Sequence, residues 1–217
     1  PDKRRIKKEW KARDEDGFVH SVTAIEDVPL HKGKWLVLAR YNDKLIKLKP
    51  FLRDKGIYFE YKKRKSYKTR LYTAVQNYTR WTQGSLLSIS ECKDLFEYFG
   101  KEFPKKEERL YDLKEFGYSQ TQRWFEVFET EPEDSLYIRT MLQAGEELSK
   151  EARVKLSTIH AAKGGEAENV LLILDNTKMI REAIEKSPDK EDEENRIWYV
   201  GVTRTKQNLY IMAAKKE

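Results

Sequence analysis

Val154-Lys155-Leu156-Ser157-Thr158-Ile159-His160-Ala161-Ala162-Lys163-Gly164-Gly165-Glu166 runs from an apolar stretch into a glycine-containing loop that carries His, Lys and Glu. The apolar part, Val154–Ile159, reads as a strand. Trp35–Ala39, Val170–Leu174 and Leu209–Ala213 are of the same kind. Each is short and nearly continuous in apolar residues, as expected for strands covered on both faces. The segments between them carry helical spacing, so the pattern predicts an α/β fold with a mostly parallel sheet flanked by helices. Phe18–Ile25 is expected to add an edge strand. Asn42 is placed to cap a helix through Leu45, Ile46 and Leu48, which Pro50 should kink or restart. The turn Lys55-Gly56 then leads to an extended Ile57-Tyr58-Phe59.

Glu194-Asn195-Arg196-Ile197-Trp198-Tyr199-Val200-Gly201-Val202-Thr203-Arg204-Thr205-Lys206 forms a second signature: a helical segment that delivers an arginine just before a strand. Read alone, Arg204 is a surface arginine near a helix C-terminus, where the dipole favours a cation. Read with the first signature, it takes on another meaning. The two stretches resemble the C-terminal motifs of UvrD/Rep/PcrA-type superfamily 1 DNA helicases, T-x-H-x-A-K-G-L-E-F and E-x-x-R-x-x-Y-V-x-x-T-R-A. The second is matched closely. The first departs from the pattern at Gly165, where Leu is usual, and at Ala167, where Phe is usual.

The resemblance implies a RecA-like motor domain, the 2A domain of that family, formed by residues 1–65 and 151–217. Residues 66–150 would then be a small helical insertion in the place of the accessory 2B domain. Apolar residues there recur at helical spacing in Leu71–Trp81, Cys92–Phe99, Thr121–Phe128 and Ser135–Leu142. Ser90-Glu91 and Glu133-Asp134-Ser135 look like helix starts, while Pro104–Arg109 and Ser187–Glu194 read as polar, charge-rich loops.

By the same resemblance Arg204 reaches across a cleft to the γ-phosphoryl group of ATP, where a guanidinium fork meets the charge of a loose transition state. Gly165 and Glu166 would lie at the nucleotide, Glu166 on sugar hydroxyls or bound water. Thr158 and His160, which strand alternation puts on one face, would meet the single-stranded DNA backbone. Arg40-Tyr41-Asn42 resembles the family's L-y-R-S-N segment, which puts Arg40 and Asn42 on the DNA track. Each has a plainer reading: a loop carboxylate, a core histidine, a helix cap. The Ala161-Ala162-Lys163-Gly164 form points to the 3′-to-5′ branch.

No G-x-x-x-x-G-K-[ST] phosphate loop occurs, and no acidic magnesium motif ends a buried strand; Asp14-Glu15-Asp16-Gly17 follows a polar run instead. The expected partners are therefore single-stranded and duplex DNA and a missing N-terminal RecA-like motor domain. ATP and Mg2+ belong to the intact enzyme, and none is expected to bind tightly to this chain, which alone should lack ATPase activity. The rival reading is a non-catalytic, helicase-derived module that binds nucleic acid or protein.

Composition sets further bounds. Forty-three Lys+Arg against 37 Asp+Glu leaves +6, a surplus that suits a polyanionic partner. Lys62-Lys63-Arg64-Lys65-Ser66-Tyr67-Lys68-Thr69-Arg70 interleaves charge with Tyr61, Tyr67 and Tyr72. Lys63, Arg64 and Lys65 are candidate DNA contacts there, unless the run is an ordinary solvated loop. Cys92 is the single cysteine. It excludes an intrachain disulfide and fits a reducing, cytoplasmic compartment. His20, His31 and His160 are scattered, so no metal site is expected. No run of about 18 apolar residues occurs and Pro1-Asp2-Lys3-Arg4-Arg5 opens no signal peptide, which predicts no membrane partner.

Overall fold

The structure, a computed structural model, describes residues 15–162, 164–176 and 178–213. Pro1–Arg5, Asp14 and the motif residue Lys163 lie outside the described residues. The strands are β1 (Phe18–Val22), β2 (Trp35–Ala39), β3 (Phe59–Tyr61), β4 (Arg64–Lys65), β5 (Val154–Thr158), β6 (Ala167–Leu174) and β7 (Thr205–Ala213). The helices are α1 (Asn42–Asp54), α2 (Thr69–Thr82), α3 (Ile89–Tyr98), α4 (Trp124–Val127), α5 (Pro132–Gln143), α6 (Lys178–Lys186) and α7 (Pro188–Val202).

The strands form one seven-stranded sheet in the order β1-β7-β6-β2-β5-β3-β4. The β1–β7, β6–β7, β2–β6 and β3–β5 pairs are parallel, and the short β3–β4 hairpin is antiparallel. Every residue of β2 is buried, which is why its sequence shows no alternation. β1 sits at one edge and pairs Phe18–Val22 with Asn208–Met212.

The chain divides into two compact units: one takes the chain up to Lys44 and again from Ser157, the other is Leu45–Leu156. In the first unit one sheet face presents Leu36, Leu38, Val170, Leu172 and Leu209, which join Ile159 and Ala162 in a core. Ile197, Trp198 and Val200 of α7 pack against it.

The second unit opens with most of α1. Pro50 lies inside that helix, which neither ends nor restarts there. Proline removes only the bond from its own position to the Ile46 carbonyl, and Leu45, Leu48 and Leu52 still bury one side of the helix. The helix ends in a Schellman turn: Gly56 N donates to Arg53 O at 3.0 Å and Ile57 N to Leu52 O at 2.9 Å. Gly56 takes φ 63°, and a β-carbon there would stand 2.8 Å from the backbone carbonyl of Thr140.

Between β4 and β5 the elements are α2–α5, a 3-10 turn and an isolated bridge from Leu87 to Tyr111. α3 starts at Ile89, one place before the expected Ser90. Ser88 caps it, with Glu91 N donating to Ser88 Oγ and Ser88 N to the Glu91 carboxylate. α4 covers only Trp124–Val127 of the expected Thr121–Phe128, because Ser119 and Gln122 close a turn on themselves first. The core of this unit is aromatic. Trp81 is fully buried, with Nε1 donating to Asp112 at 2.8 Å, and the Tyr78 ring meets Trp81, Phe99 and Phe128 edge-on.

Among the described residues no helix is long and apolar enough to cross a membrane. Cys92 is buried in α3, and burial pushes its thiol up to about 12. The native protein should therefore resist a disulfide-exchange reagent at pH 8 and react only on unfolding, followed by absorbance with and without denaturant. Gly56→Ala forces a side chain into the left-handed region and against Thr140. It should cost about 1–3 kcal/mol, read as a lower urea midpoint with unchanged m.

Candidate nucleotide and nucleic-acid site

The two signatures meet in the first unit, and α7 is the element that brings them together. The polar run Ser187–Glu194, expected as a loop, is instead the start of this helix. Pro188 occupies its first turn, and Asp189 and Glu191 sit where the helix dipole favours acids. Charge density hid the helix because its outer face is solvated. Glu194, Ile197, Trp198 and Gly201 follow at helical spacing along its inner side. A β-carbon on Gly201 would lie 2.9 Å from Leu172 Cδ1 and 3.5 Å from Ile159 Cδ1. Glycine thus lets the helix close on the sheet.

Arg204 leaves the end of α7 immediately before β7. Its Nε donates to the Val200 carbonyl at 3.0 Å, one of the carbonyls a helix end leaves without a partner, and one Nη approaches Thr203 Oγ1 at 3.4 Å. The side chain is half-buried, and among the described residues no carboxylate pairs with it. Its own carbonyl accepts from Ala167 N at 3.0 Å. That bond ties the Gly164-Gly165-Glu166 loop to Arg204 across adjacent strands. Glu166 is exposed, 3.7 Å from Lys206 Nζ.

Within the loop, Gly164 takes φ 87°, a backbone state that requires glycine. Gly165 does not: its φ is ordinary and a β-carbon would meet only Ala162 O, at 3.4 Å. The departure from Leu at this position therefore reflects no backbone demand. Thr158 ends β5 and works locally, its Oγ1 accepting from Ala161 N at 3.3 Å and its carbonyl from Ala162 N at 3.0 Å. Strand alternation stops at Thr158, so His160, expected on the same face, stands in the turn beyond and is exposed.

Arg40 follows β2 and makes the strongest polar contact of the site. Its Nε and one Nη donate to the two carboxylate oxygens of Glu194, each at 3.0 Å, with side-chain exposures of 17% and 11%. The other Nη lies 3.3 Å from His160 Nδ1. A ring nitrogen facing a guanidinium must accept, which puts the imidazole proton on Nε2. The bond to Glu194 raises the Arg40 pKa further, despite the opposing effect of burial. Asn42 is the first residue of α1.

Lys63, Arg64 and Lys65 belong to the other unit. They are not a loop but the turn and second strand of the β3–β4 hairpin. Lys63 and Arg64 are exposed, and Lys65 Nζ is drawn to Tyr67 Oη at 3.2 Å. His20 stacks on Tyr210 with ring centroids 4.4 Å apart, and Trp81 and Trp124 are buried. Among the described residues no group of three or more His, Cys, Asp and Glu could hold a metal ion.

Sequence reasoning passed over Glu194 as a site residue. The available signal was a carboxylate at helical spacing with Ile197, Trp198 and Gly201, a charge on the face that should be apolar. Replacing Glu194 by Ala strands a largely buried guanidinium and should cost about 3 kcal/mol in urea unfolding. The Arg40→Ala/Glu194→Ala double variant should lose clearly less than the sum of the single losses.

The contacts so far put a T-R pair at the end of a helix, beside a glycine loop carrying His and Glu, on neighbouring parallel strands. The family model described as the UvrD-like helicase C-terminal domain matches residues 8–216, nearly the whole chain. A comparison with curated proteins finds no match. By fold, motif geometry and family model together, the chain belongs to the UvrD-like helicase C-terminal domain family.

Proposed function

We propose that this domain is the C-terminal motor region of an ATP-dependent, 3′-to-5′ DNA helicase or translocase that works inside the cell. A first RecA-like motor domain would supply the phosphate loop and the residues that hold Mg2+. This chain contributes Arg204 as the arginine finger, with Gly165 and Glu166 beside the sugar of ATP. Single-stranded DNA runs past Arg40, Asn42, Thr158 and His160, with Lys63, Arg64 and Lys65 giving further backbone contacts. The helical segment 66–150 is the counterpart of the family's accessory domain.

The observation that carries this reading is the state of Arg204. Its Nε is fixed by a backbone carbonyl, which sets the direction of the side chain, and no carboxylate among the described residues neutralises the guanidinium. An arginine held at its base, with only the neutral Thr203 hydroxyl at its fork, is suited to charge that develops on a transferring phosphoryl group. The bond from Ala167 N to Arg204 O keeps the Glu166 loop in register with it. On the DNA side, His160 turns Nδ1 toward Arg40, so its Nε2–H is a neutral donor available to a phosphate oxygen.

The test uses the intact enzyme, with both motor domains. Arg204→Ala should lower kcat for ATP by about two to four powers of ten while DNA affinity stays the same. Arg204→Lys should rescue little, because an ammonium lacks the planar fork. Unchanged kcat in Arg204→Ala would remove the residue from the chemistry and favour a binding module.

A further inference from the structure

The turn of the β3–β4 hairpin is made of residues that such a turn disfavours. Tyr61 pairs with Arg64 across the hairpin, so Lys62 and Lys63 alone make the reversal. Both have positive φ, 50° and 60°. A two-residue reversal with positive φ at both positions is the I′ geometry, which Asn-Gly adopts readily and lysine adopts under strain.

The charges at this point are unfavourable as well. Lys62, Lys63, Arg64 and Lys65 are all exposed, and the acidic residue of these two strands, Glu60, stands opposite Lys65. Lys49 of α1 sets its Nζ 3.8 Å from the centre of the Tyr61 ring, and Lys62 Nζ is 5.4 Å from the same ring. Burial first, and then the Lys62 charge, push the Lys49 ammonium below its ordinary value.

The support behind the turn is rigid. Arg53 donates to the Ser66 carbonyl at 3.1 Å and to Asp134 at 3.2 Å, and its guanidinium lies over the Tyr137 ring at 4.3 Å. Tyr137 Oη donates to Ile57 O at 2.7 Å and lies 2.8 Å from Ser66 Oγ, which accepts from Phe59 N. These bonds hold the arms of the hairpin whatever occupies its tip. Strain and like-charge crowding confined to one exposed tip on a rigid base mark a site kept for a ligand of opposite charge.

We infer that the Lys62–Lys63 turn, together with Lys49 and Arg64, is a clamp for the phosphates of a nucleic-acid backbone. The choice of nucleic acid over other polyanions rests on the helicase-domain reading. Two ammonium groups already cover the Tyr61 ring, so bases do not stack there and the clamp is indifferent to sequence. Lys62 and Lys63 carry the strain because the tip needs their charge more than it needs an easy turn.

The experiment is to replace the turn by the pair its geometry prefers, Lys62→Asn/Lys63→Gly, in the chain as it stands. Thermal unfolding is measured beside fluorescence anisotropy with labelled single-stranded oligonucleotides across a salt series. Lys105→Gln/Lys106→Gln, in an exposed segment of the same unit, removes the same charge and is the control. The Asn-Gly variant should gain about 2–4 °C in Tm. It should also lose about 0.7–1.4 from the log–log salt slope, whereas the control keeps the slope of the parent. Homopolymeric and mixed oligonucleotides should bind alike. A slope equal to that of the control would overturn the clamp, and a fall in Tm would overturn the strain argument. Polyglutamate competing as well as an oligonucleotide of equal charge would overturn the assignment to nucleic acid. The measurement uses neither ATP nor a first motor domain, so its failure is distinct from failure of the Arg204 test.

Discussion

α7 lies close enough to β6 that a β-carbon on Gly201 would come within 2.9 Å of Leu172. The polar geometry of the first unit depends on that approach. A helix on the sheet at this depth presents Glu194 at one end of its inner face, where Arg40 leaves β2. At its other end the Val200 carbonyl catches Arg204 Nε as the chain turns into β7. A bulkier residue at 201 would move both ends at once, because the helix transmits the displacement as a rigid element.

The two arginines of the site are held in opposite ways. Arg40 is spent on a bidentate pair with Glu194, both side chains largely withdrawn from water. Such a pair contributes mainly through the penalty of breaking it, since desolvation offsets much of the attraction. What it secures is direction: β2, α7 and the turn that carries His160 are joined through one guanidinium. Arg204 is held by neutral groups, the Val200 carbonyl and the Thr203 hydroxyl, and among the described residues no carboxylate offsets its charge. The difference separates an arginine that joins three elements through an ion pair from one whose charge meets no carboxylate among the described residues.

The second unit is organised around Arg53, which meets the end of the hairpin, α5 and the face of Tyr137. Asp134 also takes a bond from Lys68 at 2.8 Å, and these cations hold its carboxyl below the usual carboxylate range although burial opposes them. The Schellman turn at Gly56 fixes where α1 stops and hence where β3 begins. The hairpin tip is therefore carried on a defined base.

The sequence by itself pointed to the parallel sheet through its short apolar runs, of which β2 and Val170–Ile173 in β6 are buried throughout, whereas β5 alternates and β7 buries only Leu209. It also pointed to the family, through two signatures that resemble its C-terminal motifs in order and spacing. It did not disclose the start of α7, because the solvated outer face of a helix has the composition of a loop. Nor did it disclose the hairpin, because Lys-Lys lacks the Asn-Gly signal of such a turn. Only the tertiary structure decided that Arg40 serves Glu194, that Gly164 but not Gly165 needs to be glycine, and that Arg204 is anchored at its base. Those outcomes depend on contacts between residues far apart in the chain, Arg40 with Glu194 and Ala167 with Arg204. No local periodicity records which distant partner a charged side chain will meet.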